Sequence, residues 1–163
     1  ITFDSSARQA VPLTDLLSFQ MPALTASGTT SLGEALSLTA SSIAKEVQKT
    51  TADTKGDWRP LVFLMTDGSP NDDWRKGLND FKAARTGVVV ACAAGHDADT
   101  SVLKEITEIV VQLDTADSST IKAFFKWVSA SISVGSQKVE SSKKEVIGLE
   151  DLPPPPPEVN VVL

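Results

Sequence analysis

The sequence predicts an α/β protein: a three-layer, doubly wound (Rossmann-like) domain whose sheet is mostly parallel. Apolar runs of strand length alternate along the chain with stretches of helical period, which is typical of β-α-β units. A carboxylate, Asp67, directly follows the apolar run at residues 61–65, where open α/β sheets place their ligands. With 163 residues, 41% of them hydrophobic, the chain is long enough to build one such core.

The individual elements follow from hydrophobic period and from capping residues. Ser31 and Glu34 have the spacing of a capping box at the start of the first long helix. Asp117 or Ser118 is expected to cap the last helix. In chain order, we expect a hairpin over residues 1–3 and 7–13, a loop with one short helical turn over 14–26, helices over 31–50, 74–86, 102–106 and 121–132, and strands over 61–65, 88–93 and 109–113.

The chain changes character after residue 134. The stretch up to Gly148 is polar, rich in Ser and Lys, and without a period. The prolines at 153–157 predict an extended polyproline segment, which serves as a spacer or as a ligand for aromatic grooves. Residues 159–163 resemble a short apolar strand. We therefore expect one domain over residues 1–134 and a polar, proline-rich tail over residues 135–163.

Composition excludes several classes of function. A net charge of −6 disfavours nucleic acid or an anionic membrane as the main partner. No run reaches the roughly 18 apolar residues that a membrane-spanning helix needs. The single cysteine, Cys92, excludes an internal disulfide and a multi-cysteine zinc site, and its apolar surroundings predict a buried side chain. We expect a cytoplasmic protein.

Oxygen ligands are expected to gather at one edge of the sheet. Asp67 follows the strand at 61–65, the hydroxyls of Thr29 and Thr30 precede the first helix, and the loop at 69–73 is polar. Carboxylates and hydroxyls without histidine or thiolate suit Mg²⁺, Ca²⁺ or Mn²⁺. The only histidine, His96, is expected in a loop rather than in a catalytic site.

Two segments of the chain resemble von Willebrand factor A (VWA) domains. Gly-Thr-Thr-Ser-Leu-Gly-Glu-Ala-Leu at residues 28–36 is similar to the family's Gly-Gly-Thr-x-Leu-Gly-x-Ala-Leu segment. Leu-Val-Phe-Leu-Met-Thr-Asp-Gly at residues 61–68 is similar to the family's strand ending in Thr-Asp-Gly. The resemblance covers about residues 1 to 134. The amino-acid sequences of the loop at 69–74 and of the proline-rich end most resemble those of the bacterial tellurium-resistance TerY-type VWA proteins.

The resemblance implies a metal-ion-dependent adhesion site that binds an acidic side chain of a partner protein. Its threonine ligand maps onto Thr30, with Thr29 as second choice, and its aspartate ligand maps onto Asp67. Partner contacts are expected from the surrounding loops, namely Thr29, Ser69, Asn71, Asp72 and Trp74. TerY-type proteins imply a bacterial stress-response system in which a kinase and a phosphatase are candidate partners.

The sequence departs from the family pattern in one respect. The family's Asp-x-Ser-x-Ser triplet is missing, since Asp4 and Ser6 are followed by Arg8, whose positive charge would repel a metal. The triplet would lie on a strand and helix before Ile1, so we expect a sheet that lacks its first strand and helix. Another chain, a nicked amino-terminal piece or residues 159–163 would then cover the exposed edge, and we expect this chain alone to bind Mg²⁺ weakly or not at all.

Two alternatives to a metal-dependent binding module remain open. One is a magnesium-dependent phosphohydrolase that uses Asp67 as nucleophile or metal ligand. Gly68 and Ser69 supply neither the second aspartate nor the lysine that such enzymes need, so we favour a protein that is not an enzyme. The other is a metal-independent scaffold in which the ion has no role. Separately, Asp72 and Asp73 are expected to cap the second helix rather than to bind metal.

Overall fold

The computed structural model describes residues 1–25, 27–95, 98–143, 146 and 148–162. The chain divides into two compact units. We call the first the helical unit (Ile1–Asp57 and Pro70–Arg85) and the second the sheet unit (Trp58–Ser69 and Thr86–Leu163). His96, predicted to lie in a loop, falls outside the described residues. Within them, no helix is both long enough and apolar enough to cross a membrane.

The helical unit contains a short hairpin and two helices. Its elements are β1 (Thr2–Phe3), β2 (Ala7–Arg8), a 3-10 turn at Leu16–Ser18, α1 (Leu32–Glu46) and α2 (Trp74–Ala83). β1 and β2 pair antiparallel, as predicted, although β2 ends at Arg8 rather than at residue 13. α1 also ends earlier than the expected Thr50, because Val47 has extended backbone angles.

The two helices pack closely against each other. Their contact buries mainly apolar side chains: Leu32, Ala35, Leu36, Trp74, Leu78 and Phe81. Gly33 and Gly77 lie at the point of closest approach, where a Cβ on Gly77 would overlap the carbonyl oxygen of Gly33. Glycine at both positions therefore lets the two backbones meet.

The sheet unit contains a four-stranded sheet in the order β3-β4-β5-β6. The strands are β3 (Val62–Thr66), β4 (Val89–Ala94), β5 (Ile109–Leu113) and β6 (Val159–Val162), and the helices are α3 (Thr100–Ile106) and α4 (Ser118–Ser142). β3, β4 and β5 are parallel, whereas β6 runs antiparallel to β5. A mostly parallel sheet with accompanying helices confirms the predicted Rossmann-like α/β fold.

The ends of this sheet differ from two expectations. β3 is an edge strand of the described sheet, and its residues 62–65 are half-buried rather than enclosed on both faces. The terminal strand β6 pairs with β5 at the opposite edge, so it does not cover β3. β6 pairs with Val110–Leu113 of β5. The outer edge of β3 therefore has no partner strand among the described residues.

An apolar cluster packs α4 against the sheet. It includes Val90, Cys92, Val111 and Leu113 on the strands and Phe124 on α4. As predicted, Cys92 is a buried free thiol, and desolvation raises its pKa to about 12. Such a thiol stays protonated and inert at neutral pH.

α4 and the segment after it behave differently from the aperiodic stretch that was expected. The helix continues to Ser142, although the apolar pattern predicted an end near residue 132. The indole N–H of Trp127 donates to the carbonyl of Pro153 at 2.8 Å, and Lys138 forms an ion pair with Asp151. Pro153 thus contacts α4, and the proline run leads the chain into β6, as part of the sheet unit.

Candidate functional site

Thr30 is held by its backbone and not by its side chain. Its N–H donates to the Oδ1 of Asn71 at 2.8 Å, and its carbonyl accepts from the N–H of Asn71 at 2.9 Å. The hydroxyl of this half-buried residue has no hydrogen-bond partner among the described residues. The loop before α1 therefore has a fixed backbone at Thr30 and presents a hydroxyl that is available to bind a ligand.

Thr29 differs from Thr30 in this respect. Its N–H donates to the Oγ of Ser5 at 3.2 Å, and its hydroxyl lies 3.5 Å from the same oxygen. Ser5 belongs to the turn between β1 and β2, so the Asp4-Ser5-Ser6 stretch supports this loop. Of these two hydroxyls, that of Thr30 is the one without a hydrogen-bond partner among the described residues.

The start of α1 is capped by Asp72, a residue distant in sequence. Its two carboxylate oxygens accept from the N–H groups of Gly33 (3.0 Å) and Glu34 (2.9 Å). The predicted capping box is therefore wrong: Ser31 makes no side-chain capping bond, and the carboxylate of Glu34 accepts from the N–H of Ala7 at 3.0 Å. A negative charge at this position also suits the helix dipole.

The start of α2 is not capped by the side chains of Asp72 and Asp73, although the sequence predicted such a cap. Asp73 occupies the N-cap position but makes no side-chain capping bond, and Asp72 is engaged at α1 instead. Trp74 is only 8% exposed, so little of its ring is available to a partner. The guanidinium of Arg75 lies 4.5 Å from the centroid of that ring. Of the residues expected to contact a partner, Thr29, Ser69 and Asn71 are exposed, whereas Asp72 is half-buried.

Asp67 lies just beyond the carboxyl end of β3, as predicted, and its side chain is exposed. The buried Thr66 fixes the turn that follows, because its hydroxyl lies within hydrogen-bonding distance of the N–H (3.5 Å) and the carbonyl (3.3 Å) of Gly68. Asp67 belongs to the sheet unit, whereas Thr30 belongs to the helical unit.

These oxygens fit a hard cation as individual ligands. An exposed carboxylate and a hydroxyl without a partner are the donor types that Mg²⁺ and Ca²⁺ prefer. Two protein oxygens do not fill the coordination shell of either ion, so water or a partner would supply the rest. The described part of the chain holds no group of three or more His, Cys, Asp or Glu side chains that could bind a metal.

A mostly parallel sheet with a carboxylate beyond one strand end defines the class of Rossmann-like α/β domains. Comparison with family models is more specific: the von Willebrand factor type A domain matches residues 1–127, and the chain belongs to that family. VWA domains often mediate metal-dependent interactions between proteins. Comparison with curated proteins and with solved structures gives no match.

Sequence reasoning missed how the loops of the helical unit are fixed. Asn71 and Asp72 were expected to contact a partner, yet their side chains bind the backbone of residues 30–34. The one available signal was their position next to Pro70, in a turn-forming cluster. That cluster indicates a turn but does not identify which distant amides the side chains meet.

Proposed function

We propose that this VWA domain is a metal-ion-dependent protein-binding module and not an enzyme. Thr30 and Asp67 would hold a Mg²⁺-type ion, and an acidic side chain of a partner protein would complete its shell. The observation that carries the proposal is the hydroxyl of Thr30, which has no partner in the part of the chain that the structure describes, while the residue's backbone N–H and carbonyl are both bound by Asn71. A backbone held in this way loses little conformational entropy when the residue binds a ligand.

The chemistry of the site favours a carboxylate as the partner's ligand. One aspartate neutralises half of the charge of a divalent cation and threonine adds none, so the site with its ion would stay positive. Such a site attracts an anion, and oxygen is the donor that hard cations prefer. Exposed Ser69 and Thr29 are then available for hydrogen bonds around the bound group.

The biological setting that we propose rests on the resemblance to TerY-type proteins. It is a bacterial tellurium-resistance and stress-response system, with a kinase or a phosphatase as the partner. The loop at residues 69–74 and the proline-rich end carry this resemblance.

Paramagnetic Mn²⁺ tests the ion site directly. Added to the ¹⁵N-labelled chain, it should broaden the amide signals of residues 28–31 and 66–69 together. Asp67→Asn should abolish the broadening of both segments, and Thr30→Ala should weaken it in both. The matched controls are Asp53→Asn and Thr54→Ala, which change the same residue types in the exposed loop at residues 51–55. Broadening of one segment without the other, or broadening that survives Asp67→Asn, would contradict the shared site.

Calorimetry and partner binding complete the test. Because most of the family's ligands are missing, titration of the chain with Mg²⁺ should give an affinity weaker than micromolar. Micromolar binding would mean that the described ligands are sufficient. If a partner captured by the chain is retained unchanged in the presence of a chelator, the module is a metal-independent scaffold.

A further inference from the structure

A second concave site lies within the sheet unit. Its volume is about 790 Å³, in the range of roughly 300–1,000 Å³ that is usual for small-molecule sites. The start of β4, the end of α3, the start of β5, the 3-10 turn at Leu149–Asp151 and the end of β6 line it. Nothing in the proposed ion site involves these segments.

The walls of this cavity are fixed by hydrogen bonds. The hydroxyl of Thr107 donates to the carbonyl of Val89 at 2.7 Å and accepts from the N–H of Ile109 at 3.1 Å, which ties the turn after α3 to two strands. Pairing of Val110 with Val162 places the end of β6 beside them. The part of the lining contributed by the strands and by the turn after α3 is therefore held in place by hydrogen bonds within the sheet unit.

The lining combines an apolar surface with an excess of negative charge. Its apolar members are Val88, Val89, Ile106, Ile109, Leu149, Val161 and Val162. Its charged members are Lys104, Glu108 and Glu150, so carboxylates outnumber ammonium groups. The carboxylate of Glu150 lies close over Gly148, so close that a Cβ on Gly148 would overlap the carboxylate oxygens. The chain as a whole is also acidic, with a net charge of −6.

From this lining we infer that the cavity binds a small organic cation with an apolar body, such as an alkylammonium compound. The apolar body would lie on the valine and isoleucine side chains, and the cationic group would meet Glu108 and Glu150. An apolar surface with a few convergent charged groups is the usual composition of a small-molecule site. The same lining disfavours an organic anion of equal size.

This site is independent of the proposed ion site. Asp67 follows the carboxyl end of β3, whereas the cavity is lined by the amino ends of β4 and β5. Because these three strands are parallel, Asp67 and the cavity lie at opposite ends of the sheet. The Mn²⁺ experiment reads residues 28–31 and 66–69, so either inference can fail without the other.

A pair of probes of equal length tests the inference. We would titrate the ¹⁵N-labelled chain with n-octylammonium and, separately, with n-octanoate. Octylammonium should shift the amide signals of Val88, Thr107 and Val162 in a saturable way, and octanoate should not. Equal binding of both probes, no saturable binding of octylammonium, or shifts confined to other segments would overturn the inference.

Charge variants identify the recognising groups. Glu108→Gln and Glu150→Gln should each weaken octylammonium binding about two- to fivefold, which is the range of exposed charge pairs. Glu150→Lys should reverse the preference toward octanoate. Glu140→Gln, a change on an exposed position of α4, is the control and should leave the affinity unchanged. An affinity that is insensitive to Glu108 and Glu150, in variants whose other signals match the parent spectrum, would refute the assignment.

Discussion

The sheet unit and the helical unit depend on different kinds of interaction. In the sheet unit, strand side chains such as Val90, Val111 and Leu113 are fully buried, and Phe124 and Trp127 of α4 belong to the same cluster. In the helical unit, two helices share a smaller apolar contact, and the loops around them are fixed by side chains that bind backbone amides. These side chains are Ser5, Glu46, Asn71 and Asp72.

The two kinds of interaction, apolar packing and hydrogen bonds, fix a backbone to different degrees, and this matters for the loop that carries Thr30. Apolar packing is non-directional, and it stabilises a layer without fixing each backbone amide. A hydrogen bond is directional, and it fixes one loop conformation at a net gain of only about 0.5–1.5 kcal/mol. The loop that carries Thr30 is fixed by bonds of this kind, so its position is defined although little of it is buried.

The largest expected effect is in the apolar core. Phe124 is 1% exposed, and its truncation by Phe124→Ala should lower the free energy of unfolding by about 3–5 kcal/mol, since a cavity remains. Urea denaturation followed by circular dichroism measures the loss. Phe125→Ala is the matched control, because that neighbouring ring is 54% exposed and meets Phe124 edge-on at 5.6 Å. Its cost should stay at about 0.5–1.5 kcal/mol, and equal losses would contradict the dependence of the sheet unit on buried apolar packing.

A smaller effect is expected from the polar tie at α1. Asp72→Ala removes the acceptor for the N–H groups of Gly33 and Glu34, and should cost about 1 kcal/mol, as for other helix caps. The amide signals of those two residues should shift, which thermal unfolding alone would not reveal. Asp73→Ala is the control, because its side chain makes no capping bond. If Asp73→Ala shifted the same amides by as much, the capping role of Asp72 would be refuted.

The sheet was largely predictable from the sequence. Buried parallel strands appear as continuous apolar runs, so residues 109–113 were assigned correctly and the neighbouring strands to within one residue. The cap at Asp117 was also predictable, because it binds amides two and three residues away. Local signals of this type need no knowledge of the fold.

The ties of the helical unit were not predictable for the converse reason. Asp72 binds amides 38 and 39 residues away, and no periodic pattern records such a contact. The last part of α4 is polar on most sides, so the apolar pattern predicted an earlier end. The helix continues because Lys138 pairs with Asp151 and Gly135 lies against Val146. Tertiary contacts therefore extend a helix that propensity alone would end.

The smallest effect is a pH dependence of stability at Glu46, at the end of α1. Its carboxylate accepts from the N–H of Leu13 at 2.6 Å and from the side chain of Gln9 at 2.7 Å, and these bonds, the first above all, hold its pKa below the usual value. A carboxyl group with a lowered pKa in the folded state releases protons that the unfolded chain still binds, so stability rises with pH. This contribution is present above the ordinary pKa of 4.5 and is lost as the pH falls through the folded pKa.

Glu46→Gln should therefore reduce stability at neutral pH and flatten its decline in acid, as measured by urea denaturation at several pH values. Glu140→Gln, whose side chain makes no hydrogen bond within the described residues, should leave the pH profile unchanged; an identical profile for both variants would show that the tie at Leu13 does not stabilise the loop.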